Sequence, residues 1–90
     1  MQYWVYILRC MDGSLYTGIA VDVDRRVAVH NSGKGAKYTR SRLPVAEVCR
    51  FRCQDKSEAQ RREYEIKHMT RAEKLALVEE IRGKYDREKL

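Results

Sequence analysis

Residues 23–30, VDRRVAVH, put an arginine and a histidine about one helical turn apart beside an apolar stripe. On a wheel of about 100° per residue with Val23 at the origin, Val27 falls at about 40°, His30 at about 340° and Arg26 at about 300°. Asp24 and Arg25, at about 100° and about 200°, are free to face water. Arg26 and His30 therefore stand on the shoulder of the face that must meet the protein, where a charge costs free energy unless something pairs with it. The segment SEAQRREYEIK poses the same question with the opposite sign. With Ala59 at the origin, Ile66 lies at about 340° and Glu63 at about 40°, inside the apolar stripe, whereas Glu65 lies off it at about 240°. A carboxylate aimed at a core calls for a bound cation or an arginine. A cation site, a Glu63–Arg26 salt bridge and snorkelling to solvent would each meet that demand.

Two phenols join this set only if the N-terminal strands pair in one register. YWVYILRC and SLYTGIA, separated by MDG, read as a β-hairpin. A two-residue Asp12-Gly13 turn would pair Arg9 with Tyr16 and put Tyr6 and Tyr16 on opposite faces. A three-residue loop, Met11-Asp12-Gly13 with Gly13 left-handed, pairs Leu8 with Tyr16 and puts both tyrosines on one face. The second register is the one expected. Both alternating sets of the first strand are mostly apolar, which implies a sheet covered on both faces.

Downstream, Asp22 is the expected cap of a helix over about residues 23–31. NSGKGAKYTRSRL then reads as a basic, glycine-containing loop closed by Pro44, and VAEVCRFRC as a third strand. Capping boxes at Ser57…Gln60 and Thr70…Glu73 predict a helix to about His68 and another to about Arg82, ended by Gly83. No internal repeat or second domain is visible; residues 1–83 are expected to form the domain and 84–90 a short C-terminal tail.

The net charge of +6 is unevenly placed. Residues 25–52 hold eight Lys or Arg against one acid, Glu47, whereas the remainder is nearly balanced. Such a field suits a polyanion, most often nucleic acid. Lys34, Lys37, Arg40 and Arg42 in the loop are candidates to neutralise phosphates, and Tyr38 to stack on a base. A recognition helix with a base-reading set is not seen, so strong sequence specificity is not expected. The three cysteines, Cys10, Cys49 and Cys53, lack any common zinc-ligand spacing and read as buried reduced thiols. The N-terminus enters strand-like sequence directly, and no apolar run of about 18 residues exists, which points to a cytoplasmic protein with no membrane partner.

Tyr6, Tyr16, Arg26, His30 and Glu63, in this order and spacing, resemble the GIY-YIG nuclease family. Trp4-Val5-Tyr6 stands for the GIY segment and Tyr16-Thr17-Gly18 for YIG. The family's arginine after the second tyrosine falls on Arg26, the histidine of many members on His30, and the glutamate of the helix after the third strand on Glu63. The run from Leu15 to Thr39, with GKGAKYT, resembles the small stand-alone bacterial members. Trp4 and Thr17 depart from the pattern, and an Asn found near the C-terminus of many members has no equivalent. The resemblance implies an α/β (α+β) fold, a three-stranded, mainly antiparallel sheet flanked by helices on both faces, GIY-YIG endonuclease-like.

It also implies chemistry: a metal-dependent DNA endonuclease hydrolysing phosphodiester bonds in DNA repair or processing, on DNA that includes branched or single-stranded forms. Glu63 would then be the protein ligand of one Mg²⁺ (or Mn²⁺), Arg26 would clamp the scissile phosphate, and Tyr16 would orient water or phosphate. Tyr6 and His30 are rival bases, the phenol handicapped by an ordinary pKa of about 10, the imidazole closer to neutrality at about 6.5. The alternative is a non-catalytic nucleic-acid-binding module on the same fold; a third reading uses the last helix as an interaction face. The sequence leaves the oligomeric state open.

Overall fold

The computed structural model describes residues 1–88. Three strands, β1 (Tyr3–Arg9), β2 (Leu15–Ala20) and β3 (Ala46–Cys53), form one antiparallel sheet in the order β2-β1-β3. Helices α1 (Val23–Asn31) and α2 (Lys37–Arg40) lie between β2 and β3 in sequence, and α3 (Lys56–Lys67) and α4 (Arg71–Glu88) follow. This is the expected three-stranded, helix-flanked α+β fold.

The hairpin takes the register that puts the tyrosines together. Cys10 N–H donates to the Ser14 carbonyl at 2.8 Å, and Gly13 N–H to the Cys10 carbonyl at 2.9 Å, with Gly13 at φ 84°. Leu8 consequently faces Tyr16, and Tyr6 faces Gly18. Asp12 locks the loop by accepting from both the backbone N–H and the hydroxyl of Ser14, and these bonds hold its carboxyl below the usual range.

Both faces of the sheet are covered, and the central strand shows it: Val5, Tyr6, Ile7 and Leu8 are all buried. Val5 and Ile7 join Cys49, Cys53, Ala59, Ile66 and Val78 in one core, built with α3 and α4. Tyr6, Leu8 and Cys10 join Val23 and Val45 in the other, built with α1 and the loop after it. The ladder between β1 and β3 is regular except at Ile7/Leu8, which face Cys49 and Glu47, leaving Val48 as the extra residue of a β-bulge. The bulge puts Glu47 and Arg50 on one face although they are three apart, and Arg50 donates to both Glu47 oxygens at 2.6 Å and to Asp24 at 2.5 Å.

Asp22 caps α1 by accepting from Arg25 N–H at 3.1 Å. Thr70 and Glu73 form the reciprocal box at the start of α4, with bonds of 3.0 and 3.2 Å. The cap of α3, however, is Asp55 rather than Ser57: its side chain accepts from Glu58 N–H at 2.8 Å, so the helix begins at Lys56. An Asp at that position satisfies an orphan N–H as well as a serine two residues later would. Gly83 does not end α4, which runs through it to Glu88. The glycine keeps a helical backbone without positive φ, at a cost of about 1 kcal/mol relative to Ala. The expected tail therefore begins inside a helix, and residues 89–90 of it lie outside the described residues.

The basic loop is more ordered than its composition suggests. One turn of helix, α2, starts with Thr39 and Arg40 N–H both donating to the Ala36 carbonyl. At its two ends the Asn31 side chain accepts from Val45 N–H at 2.7 Å and donates to the Val45 carbonyl at 3.0 Å, a strand-like pairing that closes the loop. Arg42 fastens its middle to the hairpin, donating to Asp12 at 2.9 Å while its carbonyl accepts from Met11 N–H. Cys10, Cys49 and Cys53 are buried free thiols. Among the described residues no helix is long and apolar enough to cross a membrane.

Candidate active site

Tyr6 sits at the middle of the central strand, 1% exposed, with its ring laid over Gly18 of β2. A Cβ at Gly18 would stand 2.5 Å from the Tyr6 hydroxyl and 2.6 Å from Cζ, so only glycine lets the ring take this position. The Tyr6 hydroxyl meets His30 Nε2 at 2.9 Å, and His30 Nδ1 meets Thr39 Oγ1 at 2.9 Å. His30 is 0% exposed, deeper than its place on the shoulder of the wheel suggested.

The direction of these bonds follows from their far end. Thr39 Oγ1 also lies 2.9 Å from the Ala36 carbonyl, which can only accept, so the hydroxyl proton goes there. Thr39 must then accept from His30, which places the imidazole proton on Nδ1. Nε2 is left bare and accepts from the Tyr6 hydroxyl. Burial lowers the His30 pKa and the Arg26 charge lowers it further, which keeps the ring neutral near pH 7. Burial likewise raises the Tyr6 pKa; Arg26, close enough to favour the phenolate, opposes that rise, and the charges of Tyr16 and Glu63 add to it. The ground state is a neutral phenol donating to a neutral imidazole.

Tyr16 lines the same hollow, its ring centroid 5.2 Å from that of His30 in an edge arrangement. Tyr38 stacks on Tyr16 at 6.1 Å, and the Arg42 guanidinium covers Tyr38 at 4.0 Å. Arg26 is half-buried and, among the described residues, has no carboxylate partner within ion-pair distance. Glu63, with its side chain 23% exposed, pairs with Lys67 at 3.4 Å instead of with Arg26. Lys67 lies 5.9 Å from the Tyr16 ring, so the C-terminal half of α3 borders the hollow beside β2.

Tyr6, Tyr16 and His30 are thus in direct contact, with Arg26 and Glu63 both acting electrostatically on the Tyr6 phenol. The loop residues fall into two groups. Lys34, Lys37 and Arg40 are exposed, and Tyr38 is 40% exposed at the top of the aromatic stack. Arg42 is occupied by Asp12 and by the Tyr38 carbonyl and ring, which makes it a fastener of the loop. If the loop contacts DNA phosphates, alanine at Lys37 or Arg40 should weaken binding alike on all sequences. Each change should reduce the slope of log affinity against log salt by about 0.9 on duplex DNA. Fluorescence anisotropy at several salt concentrations would detect this, and unchanged slopes would remove the loop from the interface.

Three participants were not singled out from the sequence: Thr39, which fixes the imidazole; Gly35, where a Cβ would collide with the His30 ring and stand 2.8 Å from His30 Cα; and Lys67, which pairs with Glu63. Thr39 and Gly35 belong to the GKGAKYT run, so the signal was present without a role attached. Lys67 lies four residues after Glu63, the spacing of a helical ion pair.

The sequence model of the GIY-YIG catalytic domain matches residues 2–76. A UPF0213 protein of Staphylococcus haemolyticus is 53% identical over 79 residues, covering 88% of this chain and 96% of the relative. Another from Halalkalibacterium halodurans is 52% identical over 86 residues, covering 96% and 92%. The solution NMR structure of a UPF0213 protein from Bacillus halodurans superposes with a TM-score of 0.58 at 54% identity, over 88% of this chain and 84% of that one. A solution NMR structure of a protein from E. faecalis also gives 0.58, at 36% identity over 86% and 83%. The two tyrosine-bearing strands, the arginine–histidine helix and the glutamate-bearing helix all lie within the matched span, and the chain belongs to the GIY-YIG nuclease family.

Proposed function

We propose that this protein is a divalent-metal-dependent DNA endonuclease of low sequence specificity, acting in the cytoplasm in DNA repair or processing. The observation that carries the reading is the buried Tyr6–His30–Thr39 chain, along which a proton taken up at the Tyr6 hydroxyl could pass to a neutral imidazole. Phosphodiester hydrolysis needs a water deprotonated in line with a phosphate whose charge is relieved. In this reading Tyr6 Oη takes the water's proton as its own proton passes to His30 Nε2. The two rival bases are therefore one relay. The imidazolium that forms keeps its Nδ1–H bond to Thr39, so it is held without rearrangement.

Arg26, beside the Tyr6 phenol and with no carboxylate within ion-pair distance among the described residues, supplies the positive charge for the phosphoryl oxygens. Tyr16, against the His30 ring, is placed to orient the water or phosphate. Glu63 offers a half-buried hard oxygen donor, and a divalent ion bound there would take the place of the Lys67 ammonium that pairs with it at 3.4 Å. One carboxylate suits Mg²⁺ or Mn²⁺, which retain waters and accept substrate oxygens. Glu63 would hold the ion, whose charge supplies stabilisation at the phosphoryl and leaving oxygens.

The test is cutting of plasmid and branched DNA with Mg²⁺ by the wild-type chain and by Glu63→Ala. Cutting that disappears in the variant, with DNA affinity retained, supports the enzyme. Salt-sensitive binding without cutting under Mg²⁺ or Mn²⁺ would replace it with the binding module.

A further inference from the structure

Because β3 is an edge strand, its outer side is free, and two adjoining clefts run along it. One of about 620 Å³ and one of about 680 Å³ share Trp4, Arg50 and Ile81, giving a groove that passes from the Trp4 side of the sheet to α4. Volumes of this order accommodate small organic groups. The groove is cationic. Arg50, Arg52, Arg62, Arg82 and Lys84 line it, against Glu47 and Glu80.

Those cations are not equivalent. Arg50 is consumed by Glu47 and Asp24, and Arg62 by Glu65 at 2.7 Å. Arg52, Arg82 and Lys84 have no carboxylate within ion-pair distance among the described residues and are exposed. Three uncompensated cations beside a partly exposed indole match the features of a single strand: phosphates at intervals and bases with a free π-face. Arg50, 6.0 Å from the Trp4 ring, backs the indole while its own charge is neutralised. A duplex would offer the phosphates without the unstacked base.

We propose that the β3-edge groove binds a single-stranded stretch of nucleic acid, with one base stacked on Trp4 and phosphates paired with Arg52, Arg82 and Lys84. It would hold a strand of a substrate apart from the hollow around Tyr6 and His30. The binding it describes does not depend on whether that hollow cuts.

The chain contains a single tryptophan, so indole emission reports on the surroundings of Trp4, and variants of the groove tie the signal to this site. Titration with a short oligo(dT) should quench that emission, and added salt should reverse the quenching. In the double variant Arg52→Glu/Arg82→Glu, with its fold checked by circular dichroism, the affinity read from quenching should fall. The salt slope should flatten by about 1.4, which is about 0.7 for each lost contact to a single strand. Lys56→Glu, at the exposed start of α3 and outside both the groove and the basic loop, should quench as the wild type does. That control separates loss of this site from a general loss of positive charge. Unchanged emission at saturating oligo(dT), or undiminished quenching in the double variant, overturns the proposal. So does emission that shifts with protein concentration alone, which would assign the edge to a second copy of the chain.

Discussion

Phenylalanine at position 6 should lower the rate of DNA cleavage by about 10²–10⁴-fold, the range a positioned general base contributes, with little change in DNA affinity. The substitution keeps the ring that fills the sheet above Gly18 and removes only the oxygen bonded to His30, through which the proposed relay would run. His30→Ala should cost a similar factor. The double variant should then lose little more, because groups that act as one relay are not additive. Single-turnover cleavage by the four proteins closes that cycle; additive losses would show that the two residues act separately. The pH dependence has a definite sign. The relay needs His30 Nε2 unprotonated, and burial together with Arg26 lowers its pKa. Cleavage should therefore be fully present at neutral pH and fall as pH descends through a value below the ordinary histidine value of about 6.5.

The same shift affects stability. As pH falls below about 6.5, the unfolded chain takes up a proton on His30 before the folded chain does, so folding stability is lost across that window. Thermal denaturation from pH 8 downward should show this slope, and His30→Gln should reduce it.

Alanine at Gly35 or Gly18 is the second large effect, and it arises from packing. At Gly35 the added carbon meets the His30 ring and stands 2.8 Å from His30 Cα, a backbone atom that cannot swing away. At Gly18 it meets the buried Tyr6 hydroxyl at 2.5 Å. Either variant should lose about 1–3 kcal/mol, the usual cost of overpacking, and most of its cleavage because the relay is displaced. The melting temperature should drop by about 4–8 °C per kcal/mol for a domain of this size. Gly83→Ala is the contrast. It sits in the exposed part of α4 with nothing within 4 Å of the added carbon, and alanine there should stabilise by about 1 kcal/mol. A melting temperature unmoved by Gly35→Ala would mean the loop can yield, and the fixed position of His30 would then need another origin.

How much of this was legible depends on the range of the forces involved. Asp22 and the Thr70/Glu73 box act within four residues, and the sequence carried them plainly. Local turn chemistry left two hairpin registers open, and the condition that Tyr6 and Tyr16 share a face chose the one observed, with Gly13 in the left-handed region. What could not be read was set at a distance. The Thr39–His30 bond joins a loop to a helix, and a single turn such as α2 has no periodicity to detect. Arg42 counted as one more basic side chain until Asp12, thirty residues away, turned out to hold it. Asp55 outcompeted Ser57 as a cap because both are good acceptors and their order along the turn decided the matter. For Glu63 the wheel put a carboxylate inside the apolar stripe, whereas its side chain is half-buried and pairs with Lys67 on the same helix.

The extra residue at Val48 has a consequence for the whole layout. On its C-terminal side, Cys49, Phe51 and Cys53 are in phase with the α3/α4 layer; on its N-terminal side, Glu47 and Val45 are in phase with the layer that carries the loop. Val48 is a phase joint between two halves built to different partners. Deleting it would leave the first half seated and turn the second half over, taking Val45 away from Asn31 and opening the loop that carries Thr39. The geometry of the histidine thus rests in part on one surplus residue in the edge strand.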